Sequence, residues 1–335
     1  MALYGELSDL VAADTDVIYH YTDAGGLLGL IQGGELWATE SHGMNDLAEV
    51  RQGVEYINDW LNRQSSSLPF LDYLKEAAEV GIHELTTAFM CCASTRPDDA
   101  NQWRLYADGG RGYAVGLDPS VPLSVLTEHG PLEVPEGVSE IRRAMRQFED
   151  VVEISPWQKV LYAKERREEA LELFLRQAAT EFEKFERTVD DLASSSGNVD
   201  DYMAERDGAR QMLLSSFAGD LAAIATLIKS PGFSGEHEVR TIVTAYGSRH
   251  SMFRPSRYGV VMYQRIGRSV PGTKMEARWE VRRGIAKGSS GEPLPVIDVT
   301  MGPLLDHDHN AATVRSLLVR GGVGAEVLAS RVPLR

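Results

Sequence analysis

The middle of the chain, from about residue 138 to 229, reads as helix, and the sequence on both sides of it reads as strand. No other feature constrains the fold as much. RQAATEFEKFERTVDDLA and ARQMLLSSFAGDLAAIATLI carry apolar residues at the three- and four-residue spacing of a helix face, with SSSGNVDD as the break between them. Before this block, TTAFMCCAST and GYAVGLD read as two strands around the polar turn RPDDANQWRLYADGGR. After it, EVRTIVTAY, GVVMYQRI, MEARWEVRRGIA and LPVIDVTMG are rich in Val, Ile, Tyr and Trp, as strands are. AATVRSLLVRGG is one more helix and AEVLASRVPLR a last strand. Strands gathered on either side of a helical block imply an α+β protein with a mixed, mainly antiparallel sheet. The expected organisation is an N-terminal half of the core over 1–137, an acidic helical insertion or cap over 138–228, and a basic C-terminal half over 229–335.

Charge follows the same division. The 335 residues carry a net charge of −15, yet residues 229–335 hold 16 Lys/Arg against 9 Asp/Glu, leaving 18 against 40 for residues 1–228. So acidic a chain does not coat nucleic acid non-specifically, and contact with a polyanion falls to the basic third. Within it, residues 240–287 hold eleven Lys/Arg and two acids, interleaved with Tyr246, Phe253, Tyr258, Tyr263 and Trp279. That mixture suits phosphate and base contact, and equally a strand face solvated by arginine. No apolar run approaches the roughly 20 residues that span a bilayer. The acidic start MALYGELSDLVAADTD lacks the basic-then-apolar pattern of a secretory signal. Cys91 and Cys92 are adjacent, and neighbours on a strand point to opposite faces, which suits buried free thiols. The expectation is a cytoplasmic protein with no disulfide scaffold, no functional metal and no membrane contact.

Polar residues concentrate at a few places. His20-Tyr21-Thr22 ends an apolar strand; AGGLLGLIQGG follows as a short helix stopped by Gly33-Gly34, and ELWAT as a second strand with Trp37. Ligand sites collect where strand ends meet glycine-loosened helix starts, although a strand-end histidine satisfied by local hydrogen bonds looks the same. Asn45-Asp46-x-x-Glu49 opens a helix marked by Val50, Val54, Ile57 and Leu61. Asp46 and Glu49 read as its capping box, and Asn45 is divided between turn and site. Trp103 and Tyr106, three apart, share a helical face, either packed in the core or forming a stacking wall for a nucleobase or nicotinamide ring.

The sharpest cluster is KSPGFSGEHEVRTIV, where a Ser/Gly loop after Lys229 feeds a strand. Strand residues two apart face one side, so Glu236, Glu238 and Arg240 are expected to line one face together. Two like charges so placed raise a pKa or demand a cation, and Arg240 is the candidate partner, as in a plain ion-pair ladder. The same pair suits a reaction in which positive charge develops on a sugar carbon. Asp306-His307-Asp308-His309 reads as a polar loop. There is no P-loop, no dinucleotide glycine fingerprint, no nucleophile elbow and no H-E-x-x-H.

Together these motifs resemble the DUF2971 family. They are His20 to Thr22, Ile31 to Thr39, Asn45 to Glu49, Cys92 to Gly116, Glu236 to Arg240, Met301 to Pro303 and Ser330 to Arg335. The acidic helical middle lies outside them. A wider similarity is to ADP-ribosyltransferase folds, and it implies roles residue by residue. His20 would hold the NAD ribose with Thr22 beside it, Glu238 would be the catalytic glutamate, and Glu236 would be the first acid of an E-x-E. The chain departs from that pattern after LWAT, where Asn45-Asp46 stand instead of a tyrosine; Tyr21, Trp103 or Tyr106 would then stack on nicotinamide. The expected function is an ADP-ribosyltransferase-like enzyme that uses NAD to modify a macromolecule, nucleic acid against the basic 240–287 segment being one candidate acceptor, in a defence or toxin-like setting. Two alternatives stand beside it: a non-enzymatic nucleotide- or nucleic-acid-binding module, and an NAD-independent nuclease built on His20 and the arginines.

Overall fold

Local sequence signals place most elements. The first helix, α1 (Gly5–Val11), leads into β1 (Ile18–Thr22). Asp23 ends that strand and caps α2 (Ala24–Gly33), its carboxylate accepting the Gly26 N–H at 2.7 Å. Gly34, left-handed at φ 65°, stops the helix and turns the chain into β2 (Glu35–Glu40). Then come α3 (Leu47–Asn62), α4 (Leu71–His83), β3 (Ala88–Ser94), α5 (Ala100–Tyr106), β4 (Tyr113–Leu117) and β5 (Leu123–Thr127). Two short strands, β6 (Val152–Ile154) and β7 (Gln158–Lys159), precede the long helices α6 (Lys164–Ser195) and α7 (Val199–Leu227). The last third holds β8 (Glu238–Ala245), β9 (Met252–Ser256), β10 (Gly259–Arg268), β11 (Val281–Arg283), β12 (Val296–Met301), α8 (His307–Arg320) and β13 (Glu326–Ala329). This computed structural model describes residues 5–40, 47–64, 68–83, 88–127, 152–195, 198–245, 251–256, 259–268, 281–283 and 292–333.

The protein is α+β, with one mixed and mainly antiparallel sheet; among the described strands, those hydrogen-bonded in parallel are β5 with β11 and β12 with β13. Two differences from the sequence reading have physical causes. The block expected to be a helical cap also contributes to the sheet, since β6 and β7 both pair with β8. Both strands are too short to show a period-two pattern. The run from Asp306 to His309 is not a loop but the start of α8: Asp306 caps it by accepting the His309 N–H, and the His307 ring bonds the Gly302 carbonyl.

Helices cover both faces of the sheet. On one side α1, α3, α4, α6 and α7 share an apolar cluster around Trp60, Phe174 and Phe217. The second half of α7, from Phe217 to Leu227, is buried on every side, as befits a helix without a polar face. α3 presses so close to it that a Cβ on Gly53 would stand 2.2 Å from the Ala225 carbonyl oxygen. On the other side α2 and α8 cover the sheet with Leu27, Ile31, Val314 and Leu318. No helix among the described residues is long and apolar enough to cross a membrane.

β3 organises the centre. β8 covers one of its edges along the whole length, from Ala88 opposite Thr244 to Ser94 opposite Glu238. Two strands share the other edge: β2 takes Phe89 and Met90, and β1 takes Ser94. β1 and β2 are both antiparallel to β3, hence parallel to each other, and α2 makes the crossover between them. Each is also tied away from the other. β1 pairs over five residues with β4, and β2 over five residues with β10. Sheet twist therefore carries the two half-sheets apart, and the sheet forks along Cys91–Ala93.

Candidate functional site

The fork opens into a cavity of about 650 Å³ with walls from β1, β2, β3, α2, α5 and β8. Met90, Cys92 and Ser94 alternate along β3 and direct their backbone groups to the forked edge. Met90 finds β2 and Ser94 finds β1, so Cys92 falls between them. His20 fills that vacancy, its Nδ1–H donating to the Cys92 carbonyl oxygen at 2.8 Å. Burial lowers the His20 pKa, against the opposing effect of that hydrogen bond. A neutral ring with its proton on Nδ1 presents Nε2 as an acceptor. Thr22 lies two residues on, and Gly26 leaves room for it, because a Cβ there would meet the Thr22 hydroxyl at 1.8 Å. Both His20 and Thr22 line the cavity.

Across the cavity sits a four-charge cluster. Residues Pro231–Glu236 form a 3₁₀ turn, so Glu236 is not on the strand as the sequence reading had it. His237 is left-handed at φ 48°, ψ 44°, and the strand begins at Glu238. The two carboxylates converge all the same, on a residue the sequence reading did not single out as a site. Lys229 Nζ bonds Glu236 at 2.6 Å and Glu238 at 3.1 Å, and is itself only 3% exposed. Arg240 grips Glu238 bidentately, Nε to Oε1 at 2.7 Å and Nη2 to Oε2 at 2.8 Å, and also donates to the Thr226 carbonyl. Burial pushes the Glu238 carboxyl upward, but Arg240 and Lys229 outweigh it and hold it at about 2. Backbone contacts fix the turn: Ser94 Oγ and Gln102 Nε2 both donate to the Glu236 carbonyl.

The aromatic candidates separate. Tyr106 lines the cavity, with burial first and Glu236 second raising its hydroxyl pKa. Trp103 does not serve as a stacking wall. It is fully buried, donates Nε1–H to Asp98 at 2.6 Å and packs edge-on against Tyr21 at 4.9 Å between centroids. Tyr21 touches the cavity but is 7% exposed, and its hydroxyl is spent on the Arg96 carbonyl and the Asp99 N–H, a structural duty rather than a stacking one. Trp37 is the more exposed of the two exposed aromatics that line the cavity, at 47% against 38% for Tyr106. Its ring tilts against Tyr263 and lies under Arg254. Asn45, and Trp279 of the basic segment, lie outside the described residues.

Residues 102–241 match the sequence model of a protein family described as "Protein of unknown function (DUF2971)". The matched range runs from Gln102 through the long helices to β8, so the helical middle falls inside the match. No curated protein and no solved structure matches the chain.

Proposed function

We propose that the fork binds a nucleotide, with NAD as substrate, and that the protein breaks the N-glycosidic bond and transfers ADP-ribose to a macromolecule. One observation carries this reading: two distant stretches bring a neutral histidine acceptor with a threonine and a pair of ion-paired carboxylates to the lining of one cavity. NAD supplies the bond between ribose C1′ and the nicotinamide nitrogen, and nicotinamide leaves with the bonding pair. His20 Nε2 and Thr22 accept from and donate to ribose hydroxyls. Glu238, ionised throughout the neutral range, is a fixed negative charge for the positive character that grows on C1′. Glu236 is the more exposed carboxylate, 13% against 9%, and orients the acceptor and takes its proton as the new bond to C1′ forms. Tyr106 gives the nicotinamide ring a wall.

A second reading has its own observation. Arg240 occupies one lone pair on each Glu238 oxygen, and Lys229 and the Cys92 thiol add further bonds to the same carboxylate. So saturated a carboxylate serves a binding module in which the cluster is structural. Nicotinamide release from NAD, measured with nucleic acids and proteins as acceptors, separates the two. The transferase reading expects release that falls at least tenfold in Glu236→Gln and in His20→Ala. NAD binding by calorimetry without release would favour the module, and neither binding nor release would sink the transferase reading and leave a module for another ligand.

A further inference from the structure

Among the described residues, the charges around the fork are closed off by partners, with one exception. Lys229 and Arg240 hold Glu236 and Glu238, Arg265 holds Glu35 at 2.6 Å, and Arg268 holds Glu292 at 2.7 Å. Arg240, Arg265 and Arg268 of the basic segment thus neutralise carboxylates of this chain. Arg254, on β9, does not: among the described residues no carboxylate lies within ion-pair distance of it. Its Nη2 donates to Thr39 Oγ1 at 3.0 Å, and its guanidinium carbon sits 5.7 Å from the centre of the Trp37 ring. Its Nε is buried with no hydrogen-bond partner. Arg254, Thr39 and Trp37 all line the same cavity as His20 and Glu238.

A buried donor on a charged group is costly to leave unmet, and the guanidinium edge formed by Nε and a terminal nitrogen matches two oxygens of an oxyanion. Thr39 narrows the choice of anion. Its hydroxyl accepts from Arg254, which leaves its own hydrogen to give, so the subsite offers donors from two Arg254 nitrogens and one hydroxyl. A terminal phosphate has three oxygens for them, whereas a carboxylate has two. Trp37, half exposed and backed by Tyr263 at 4.8 Å, adds a flat apolar surface beside the anion.

We infer that Arg254, Thr39 and Trp37 form a phosphate subsite of the fork, with Arg254 binding a nucleotide phosphate side-on and Trp37 carrying the neighbouring ring. This deepens the nucleotide reading and rests on it for the identity of the ligand, though not for the bond-breaking step. The test is calorimetry of the full chain with ADP, inorganic pyrophosphate and adenosine. ADP binds at least tenfold more tightly than adenosine, and pyrophosphate binds and competes with ADP. Arg254→Gln loses at least tenfold for ADP and leaves adenosine unchanged; Thr39→Val loses severalfold with an unaltered denaturation midpoint. ADP binding that is no tighter than that of adenosine, or that survives Arg254→Gln unchanged, overturns the subsite. The two proposals fail separately. ADP held through Arg254 with NAD left intact keeps the subsite and ends the transferase reading. Nicotinamide release by Arg254→Gln at unchanged KM does the reverse.

Discussion

The two ends of the fork hold their cations in opposite ways. At the β8 end, Lys229 and Arg240 are matched by Glu236 and Glu238 within a buried cluster. At the β9 end, Arg254 has a hydroxyl and an aromatic face for company but, among the described residues, no anion. A charge compensated from within mainly sets geometry, whereas a charge left open has capacity for something that arrives later. Burial separates them only in part, since Lys229 and Arg240 are buried while Arg254 is half-buried with its Nε enclosed; the partners separate them fully.

Substitutions should break this contrast unequally. Glu238→Ala strands the Arg240 guanidinium, 3% exposed, and removing one member of a buried pair costs about 3–5 kcal/mol, read as a fall in denaturation midpoint. Next comes pH. The folded Glu238 carboxyl sits at about 2, below its ordinary 4.5, so its stabilising contribution is complete above the unfolded value and fades as pH falls from 4.5 toward 2. Unfolding free energies of the wild type and Glu238→Gln should therefore differ by a constant amount near neutrality and converge in acid. A gap that widened in acid would contradict the assignment. At the turn between the carboxylates, His237→Val should lose about 1–2 kcal/mol because a β-branched residue resists the left-handed conformation, while His237→Gly should cost little or stabilise. The smallest effect belongs to the open end: Arg254→Gln should move stability by no more than about 0.5 kcal/mol while its ligand affinity collapses. A large stability loss there would make Arg254 a second structural cation and erase the contrast.

Features that depend on near neighbours in sequence were legible there. The Gly33-Gly34 stop acts within one helix, and Glu238 with Arg240 are two apart on one strand, so spacing revealed them. What escaped is long-range or depends on an irregular turn. Lys229 reaches its carboxylates only because Pro231–Glu236 coils back, whereas an extended strand would have carried it away. Trp103 and Tyr106 share a helical face in sequence, yet one is swallowed by the Tyr21 cluster and the other meets the cavity. The basic segment read equally as a polyanion surface and as a solvated strand face because Glu35, 230 positions from Arg265, could not be seen to neutralise it. Arg254 carried no distinguishing signal at all, since its isolation is a property of everything around it.

The fork has one further consequence. Its aperture is set by which backbone ladders β1 and β2 belong to, not by the side chains that line it. The lining can therefore be exchanged residue by residue, altering what is recognised, while the opening keeps its width. The peptide N–H of Cys92 leaves β3 on the same edge as the carbonyl held by His20, so its hydrogen exchange would register occupancy of the fork directly, whichever molecule enters.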